Sequence, residues 1–367
     1  MAKRKITTEE IKEASMPVEK AESFIISPEH MLSSGSTLLD LAISNKVGCA
    51  YPLGSCTLFV GDSRAGKSLA ALTAFAEAAK APQFDNYDLI HDNAENGALF
   101  PIAQFWGNKT ASRVEPPKYD DDGDPAFSAS IEEFYFNMDD RIRSGKPFVY
   151  IMDSYDVLTS DAECSKFDSN KKEFAKGKEM AGAYGDGKAK IHSANMRRLI
   201  APLKKSKSIL IGISQTRDKI GHMAFGKGRS GGYAITFYNS VEIWYELHKP
   251  ITRTVNGIAR PIGNTIKVKI KKNRVCGCTP TIYISVLNQL GIDDTNDCIN
   301  YLVETEKHWG KSGTKIIAPE FDFEGTQEKL IQTLEEADRV LELQKLCETV
   351  WNDIREKSKV SRKSRYE

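Results

Sequence analysis

Residues 57–81, TLFVGDSRAGKSLAALTAFAEAAKA, decide the fold. A short apolar run leads into a Gly-containing turn, and an Ala-rich helix pattern follows. Gly61-Asp62-Ser63-Arg64-Ala65-Gly66-Lys67-Ser68 fits G-x-x-x-x-G-K-[ST] in full. It stands between a strand and a helix, the context that the motif requires. Glycines let backbone N–H groups turn inward around phosphate oxygens, and the helix N-terminus adds its dipole. Lys67 supplies a point charge to the β and γ phosphates, and the Ser68 hydroxyl is a Mg²⁺ ligand. The ligands implied are ATP and Mg²⁺.

From this unit onward, strands and helices alternate. YDLIHDN (87–93) is a second strand. Ser130-x-x-Glu133 caps a helix that Gly145 ends, and FVYIMDS (148–154) is a third strand. A helix over 190–204 precedes SILIGISQT (208–216), the fourth. Three more, 238–247, 264–273 and 280–287, follow with short turns. Apolar strands separated by helices predict an α/β fold with a mostly parallel sheet covered by helices. The late strand run predicts an antiparallel extension.

Two carboxylates fall at strand C-terminal ends, where ligands bind in open α/β sheets. Asp153 closes the strand FVYIM and is placed to hold Mg²⁺. Glu95 follows the second strand and is the candidate for activating water, with Asp92 as its local competitor.

Net charge is +1, from 51 Lys and Arg against 50 Asp and Glu. That balance excludes a wholly basic nucleic-acid coat but not a locally basic groove. No apolar run approaches the roughly 18 residues that span a bilayer, and the start, MAKRKITTEE, lacks the apolar segment of a secretory signal. The seven cysteines are scattered, so free thiols in a reducing cytoplasm are expected. Residues 113–126 and 161–189 are expected to be loops. From about 290 the pattern turns helical, with 330–354 expected as one long helix. Residues 7–15 are expected as a short helix, and ESFIIS (22–27) as a strand that docks on a neighbouring subunit.

The order of segments resembles the RecA family of strand-exchange recombinases over about residues 30–310. GSTLLDLAI (35–43) resembles the segment before the phosphate-loop strand. Asn93-Ala94-Glu95 is similar to the family's Asp-Ala-Glu, and MDSYDVLT (152–159) to its Asp-Ser strand end. ISQTRDKIG (213–221) followed by GGYAITFYNSVEIW (231–244) resembles a strand, a DNA-binding loop and a Gly-Gly-led helix. KVKIKKNRV (267–275) resembles a strand whose basic residues reach ATP on the neighbouring subunit.

The resemblance implies roles by position. Glu95 activates the attacking water, and Gln215 senses the γ-phosphate and relays it to the DNA loop. Lys272 and Arg274 act in trans, and Phe237 is an interface aromatic. Gly231 and Gly232 close the second DNA loop. The first DNA loop falls in 161–189. The departures are Asn93 for aspartate, Ala103 near the place of the family's adenine-stacking tyrosine, Thr236 where lysine is frequent, and a basic tail where acidic ones are frequent.

Read from its own residues, 217–232 also suits single-strand binding. Arg217, Lys219, Lys227 and Arg229 face only Asp218 in charge, and five glycines let the backbone approach phosphates. The expected organisation is an N-terminal helix and polymerisation strand (1–32), a RecA-like ATPase core with the DNA loops (33–288), a small α+β or helical C-terminal domain (289–355) and a basic tail (356–367).

The expected function is an ATP-dependent DNA recombinase, a DNA-dependent ATPase that forms homo-oligomeric helical filaments on single-stranded DNA and exchanges strands with duplex DNA. Single-strand-binding and loader proteins are further implied partners, with no membrane involved and a bacterial or phage-infected cytoplasm as its place. The alternatives are a hexameric DNA helicase on the same core, or an ATP-gated DNA-binding mediator that does not exchange strands.

Overall fold

The computed structural model describes residues 26–97, 100–176, 187–218, 227–229, 234–306, 309–313 and 315–362. Its main sheet has nine strands: β1 (Cys56–Gly61), β2 (Asp88–Asp92), β3 (Phe148–Met152), β4 (Ile209–Asp218), β5 (Lys227–Arg229), β6 (Val241–Val255), β7 (Ile258–Asn273), β8 (Thr281–Leu287) and β9 (Gly291–Ile292). The order across the sheet is β9-β8-β7-β6-β1-β4-β3-β2, with β5 paired to β4. The ladders from β6 through β1, β4 and β3 to β2 are parallel. Those among β6, β7, β8 and β9 are antiparallel. The expected α/β sheet with its antiparallel extension is therefore present.

Alternation along the strands divides the core in two. Phe59, Val149, Ile151, Ile211 and Ile213 point to one face, where Ala71, Ala74, Phe75 and Ala78 of the phosphate-loop helix α2 (Lys67–Lys80) cover them. Leu58, Val60, Tyr150, Met152 and Leu210 point to the other. Phe134 and Met138 of α4 (Ile131–Arg143), with Met196, Leu199 and Leu203 of α6 (Gly187–Ser206), pack on them. Helix α1 (Thr37–Ser44) precedes the sheet, and α3 (Ile102–Arg113) lies between β2 and α4 in the chain. The capping box at Ser130 forms in both directions with Glu133.

Several expectations are corrected. Part of 161–189 is helix α5 (Asp161–Phe174), started by a Ser160–Glu163 capping box. None of its residues is buried, so it carries no apolar stripe to betray it. The 238–247 and 264–273 strands run much further, to a turn at Asn256–Gly257. This outer ribbon is exposed on both faces over 252–260, which removes the inside–outside alternation that reveals strands.

The late region is not all helical. After α7 (Ala234–Tyr238) and α8 (Asp294–Thr305) comes a three-stranded antiparallel sheet of Gly310–Ser312, Lys315–Ala318 and Phe323–Thr326. The long helix is two, α9 (Gln327–Glu336) and α10 (Val340–Lys357). They break at Asp338, whose φ is +53°. Leu330 and Leu334 are buried on α9, Leu343, Cys347 and Val350 on α10, and Leu341 is exposed. The loop that follows α3 is exposed over 118–126, with one short pairing of Lys118–Tyr119 to Pro125–Ala126. The helix at 7–15 and most of ESFIIS lie outside the described residues, and Ile26 and Ser27 are in no strand.

Candidate active site

The phosphate loop leaves β1 at Gly61, where space is tight. A Cβ at Gly61 would stand 2.3 Å from the Tyr245 carbonyl oxygen on β6, so any side chain there would force the two strands apart. The loop ends at Gly66, the N-cap of α2 with φ +79°. Lys67 is buried, and its Nζ donates to the carbonyls of Gly61 at 2.8 Å and Asp62 at 2.7 Å. The ammonium is thus folded back over its own loop, the place a phosphate group would take. Burial pulls its pKa below the ordinary lysine value, opposed by the charges of Asp153, Glu95, Asp156 and Asp62. Ser63 and Arg64 are exposed, Ala65 is buried, and Ser68 is half-buried on the first turn of α2.

Asp153 follows β3 directly and is 1% exposed. Neither of its carboxylate oxygens has a hydrogen-bond partner among the described residues. The His91 imidazole stands beside it, with Nε2 3.9 Å from Oδ2. Burying an ionised carboxylate without partners is costly, and a divalent cation would offset that cost. A hard oxygen donor beside a phosphate loop is the chemistry that Mg²⁺ takes, with one or two protein ligands and the phosphates completing its shell. Asp153 therefore fits the metal, and the Ser68 hydroxyl on the first turn of α2 is the second candidate donor.

Glu95 is tied to Asp153 through its backbone N–H, which donates to the Asp153 carbonyl at 3.0 Å. Its side chain accepts a hydrogen bond from Gln215 Nε2. Partial burial pushes the Glu95 carboxyl above the ordinary value and the Asp153 charge adds to this, while Lys67 and Gln215 work against both. Asp92, the competing base, is accounted for otherwise. Its carboxylate accepts from Ser128 N–H at 2.9 Å, Ser128 Oγ at 2.6 Å and Tyr150 OH at 2.6 Å. That network pins the loop before α4 onto the sheet and leaves Asp92 buried, so of the two carboxylates Glu95 is the better placed general-base candidate.

Gln215 pairs with Gly61 across the β1–β4 ladder, and its N–H donates to Asp156 at 2.6 Å. The next residue, Thr216, hydrogen bonds through its hydroxyl to Asp62 of the phosphate loop. Two successive residues of β4 thus touch the water-activating candidate and the phosphate loop. Sequence reasoning missed Thr216, Asp156 and His91. Thr216 adjoins Gln215, and Asp156 lies within the quoted MDSYDVLT, so position alone could have raised both.

Lys272 and Arg274 do not join this cluster. Lys272 pairs with Glu242 on β6, whereas Gly61 pairs with Tyr245 at the other end of that ladder. Lys272 Nζ instead donates to the carbonyls of Thr236 at 2.5 Å and Phe237 at 3.2 Å. Arg274 Nη2 donates to the Phe237 carbonyl at 3.1 Å. Both cations hold the C-terminal end of α7, where carbonyls lack helical partners. Phe237 is 66% exposed, a large apolar surface beside two cations and away from the chain's own phosphate loop.

In the second-loop region, β5 pairs antiparallel with the end of β4, Thr216 against Arg229 and Asp218 against Lys227. Lys219, Gly231 and Gly232 lie outside the described residues, as do the side chains of Arg217, Lys227 and Arg229. At the departure near Ala103, Phe100, Phe105 and Trp106 form an aromatic cluster, and Trp106 Nε1 donates to Thr73 on α2 at 3.1 Å.

The family model for the RecA N-terminal domain matches residues 136–293, a span that takes in Asp153, Gln215, Lys272 and Arg274. Protein RecA of Thermotoga petrophila is 30% identical over 288 residues, covering 76% of this chain and 69% of that protein. The chain belongs to the RecA family. Protein RecA of Chlorobaculum tepidum is likewise 30% identical over 281 residues, covering 75% of this chain and 70% of its own length. Protein RecA of Lactiplantibacillus pentosus is 28% identical over 279 residues, and the chain spans 64% of its length. Within this RecA-family fold, no described helix is long and apolar enough to cross a membrane.

Proposed function

We propose that this RecA-family chain is an ATP-dependent DNA recombinase, which polymerises as a helical filament on single-stranded DNA and exchanges that strand into homologous duplex DNA. The observation that carries the proposal is the Gln215–Glu95 hydrogen bond. It couples the hydrolytic carboxylate to the strand that runs directly into residues 217–232, the proposed DNA loop.

Residues 61–68 and the α2 N-terminus receive the phosphates of ATP, and Lys67 exchanges its loop carbonyls for phosphate oxygens. Ser68 and Asp153 hold Mg²⁺, which when bound offsets charge on the transferring phosphate. Glu95 takes a proton from the attacking water. A raised carboxyl pKa suits a general base working near neutral pH. Gln215 orients that carboxylate and, through Thr216, reports the state of the phosphate loop to the DNA loop. Arg217, Lys219, Lys227 and Arg229 neutralise DNA phosphates, and Gly231 and Gly232 let the loop close. Lys272 and Arg274 complete the ATP site of the adjoining subunit, so hydrolysis requires polymerisation.

We place the chain in the cytoplasm of a bacterium or an infected host, working with single-strand-binding and loader proteins. The test is joint-molecule formation between circular single strands and homologous linear duplex in the presence of ATP. Products that depend on homology and ATP, and are lost in Lys67→Ala, support exchange. DNA binding and hydrolysis without joint molecules would leave only an ATP-gated DNA-binding role.

A further inference from the structure

The turn between β7 and β8 reads Val275-Cys276-Gly277-Cys278-Thr279-Pro280, and its thiols take no part in the site above. Asn273 organises the turn. Its Oδ1 accepts from the N–H groups of Val275 at 2.9 Å and Cys276 at 3.3 Å. Its Nδ2 donates to the Cys278 carbonyl at 2.9 Å and to Cys276 Sγ at 3.3 Å. Gly277 has φ +77°, a left-handed conformation that favours glycine. The chain doubles back there, and Cys278 Sγ reaches the Cys276 carbonyl at 3.8 Å.

The two thiols differ in access. Cys278 is exposed and Cys276 is half-buried. Burial pushes the Cys276 thiol up, and the adjoining Cys278 thiol adds to this. The other cysteines provide a contrast within the same chain. Cys49, Cys56, Cys298 and Cys347 are buried, and Cys164 is exposed on α5.

We propose that Cys276 and Cys278 form an oxidant-modified dithiol, closed to an intramolecular disulfide when a hydroperoxide reaches Cys278. The exposed Cys278 sulfur, as thiolate, attacks the terminal oxygen of the hydroperoxide. The O–O bond breaks, a sulfenic acid forms on Cys278, and the leaving oxygen departs as alcohol, or as water when the oxidant is hydrogen peroxide. The Cys276 sulfur then attacks the Cys278 sulfur. An S–S bond forms, the S–O bond breaks, and the oxygen leaves as water with the Cys276 proton. Two electrons pass from the pair of sulfurs to the peroxide, and two thiols are consumed for each peroxide. A neighbouring thiol that captures the sulfenic acid also protects it from irreversible oxidation. Closure of so small a ring stores strain, and strained disulfides are the readily reduced ones, so the modification is reversible by thiols.

The test uses the full-length chain, titrated with hydrogen peroxide, alkylated, and read by peptide fragmentation. The expected result is a peptide lighter by two hydrogens, with the link between Cys276 and Cys278. Both should resist alkylation at peroxide doses that leave Cys164 freely alkylated, and dithiothreitol should restore them. In Cys278→Ser, Cys276 should stay alkylatable over the same doses. Oxidation of Cys164 at equal or lower dose would overturn the proposal. So would Cys276 and Cys278 remaining alkylatable, or gaining oxygen separately without a link.

Discussion

Gln215 and Glu95, 120 residues apart, meet through a hydrogen bond from the Gln215 side-chain amide to the Glu95 carboxylate. Glu95 stands at the end of β2 and Gln215 on β4, with β3 between them in the sheet. The contact closes over the end of β3, where Asp153 lies. It predicts that Glu95→Gln keeps ATP binding, holds the protein on DNA and loses hydrolysis by about 10²–10⁴-fold, the usual worth of a positioned general base. Single-turnover hydrolysis and nucleotide binding on the same sample check this. Normal turnover would remove Glu95 from the mechanism.

The same contact has a pH consequence. Burial and Asp153 hold the Glu95 carboxyl above its ordinary value, and Gln215 holds it down. The acid limb of the hydrolysis profile should therefore lie above the ordinary glutamate range. In Gln215→Ala, which removes a lowering influence, the limb should move further up. A limb that moves down in Gln215→Ala contradicts the assigned pairing.

Lys67→Ala should abolish hydrolysis and ATP-dependent DNA binding. The Lys67 ammonium is buried against the Gly61 and Asp62 carbonyls, ready to move to phosphate. Turnover within a few-fold of the parent sinks the phosphate-loop assignment.

Lys272 and Arg274 hold the end of α7 and stand away from their own phosphate loop. If they serve the adjoining subunit, Arg274→Ala and Glu95→Gln should each be inactive alone and regain hydrolysis when mixed. One class of mixed interface then joins an intact Glu95 to an intact Arg274. Hydrolysis that stays absent at every mixing ratio would mean that Arg274 acts only within its own chain.

Asp40, on α1, is 2% exposed and accepts from Ser34 N–H, Ser34 Oγ, Ser33 Oγ and Gly48 N–H. Burial wins over these donors and raises its carboxyl from 3.8 to about 7. Between those values the folded chain keeps a proton that the unfolded chain has lost, so stability falls as pH rises through that window and levels off above it. Asp40→Asn should show a shallower fall of melting temperature from pH 5 to pH 8 than the parent. Asp297, also raised to about 7, contributes to the slope that remains, as do the raised carboxyls of Asp293, Asp294 and Glu95. Equal slopes in parent and variant would exclude Asp40 from this linkage.

What the sequence made legible follows from how strongly each signal is tied to chemistry. The strand–turn–helix unit of residues 57–81 and four of the parallel strands could be read because a motif and buried apolar runs mark them, whereas β6, expected within the antiparallel extension, pairs parallel with β1. The exposed helix α5 and the outer half of the β6–β7 ribbon could not, since neither buries a face that leaves a period. The division between α9 and α10 was hidden because Leu343, Cys347 and Val350 resume a helical stripe after Asp338. Glu95 could be proposed from its strand end, but setting Asp92 aside required its bonds to Ser128 and Tyr150. The separation of Lys272 and Arg274 from their own phosphate loop rests on strand register, which spacing does not encode.

Residues 217–232 are proposed as the DNA loop through Arg217, Lys227 and Arg229. Replacing all three with alanine should weaken single-strand binding and flatten its salt dependence. Each phosphate contact contributes about −0.7 to the slope of log affinity against log salt, so three lost contacts remove roughly 2. Unchanged slope with collapsed basal hydrolysis would assign the segment to the nucleotide site instead.

The central claim is an ATP-gated helical assembly on single-stranded DNA. Electron microscopy of the chain with single strands and a slowly hydrolysed ATP analogue tests it most directly. Continuous helical filaments that require both DNA and nucleotide are the predicted result. Closed rings, or discrete particles along the strand, would contradict it.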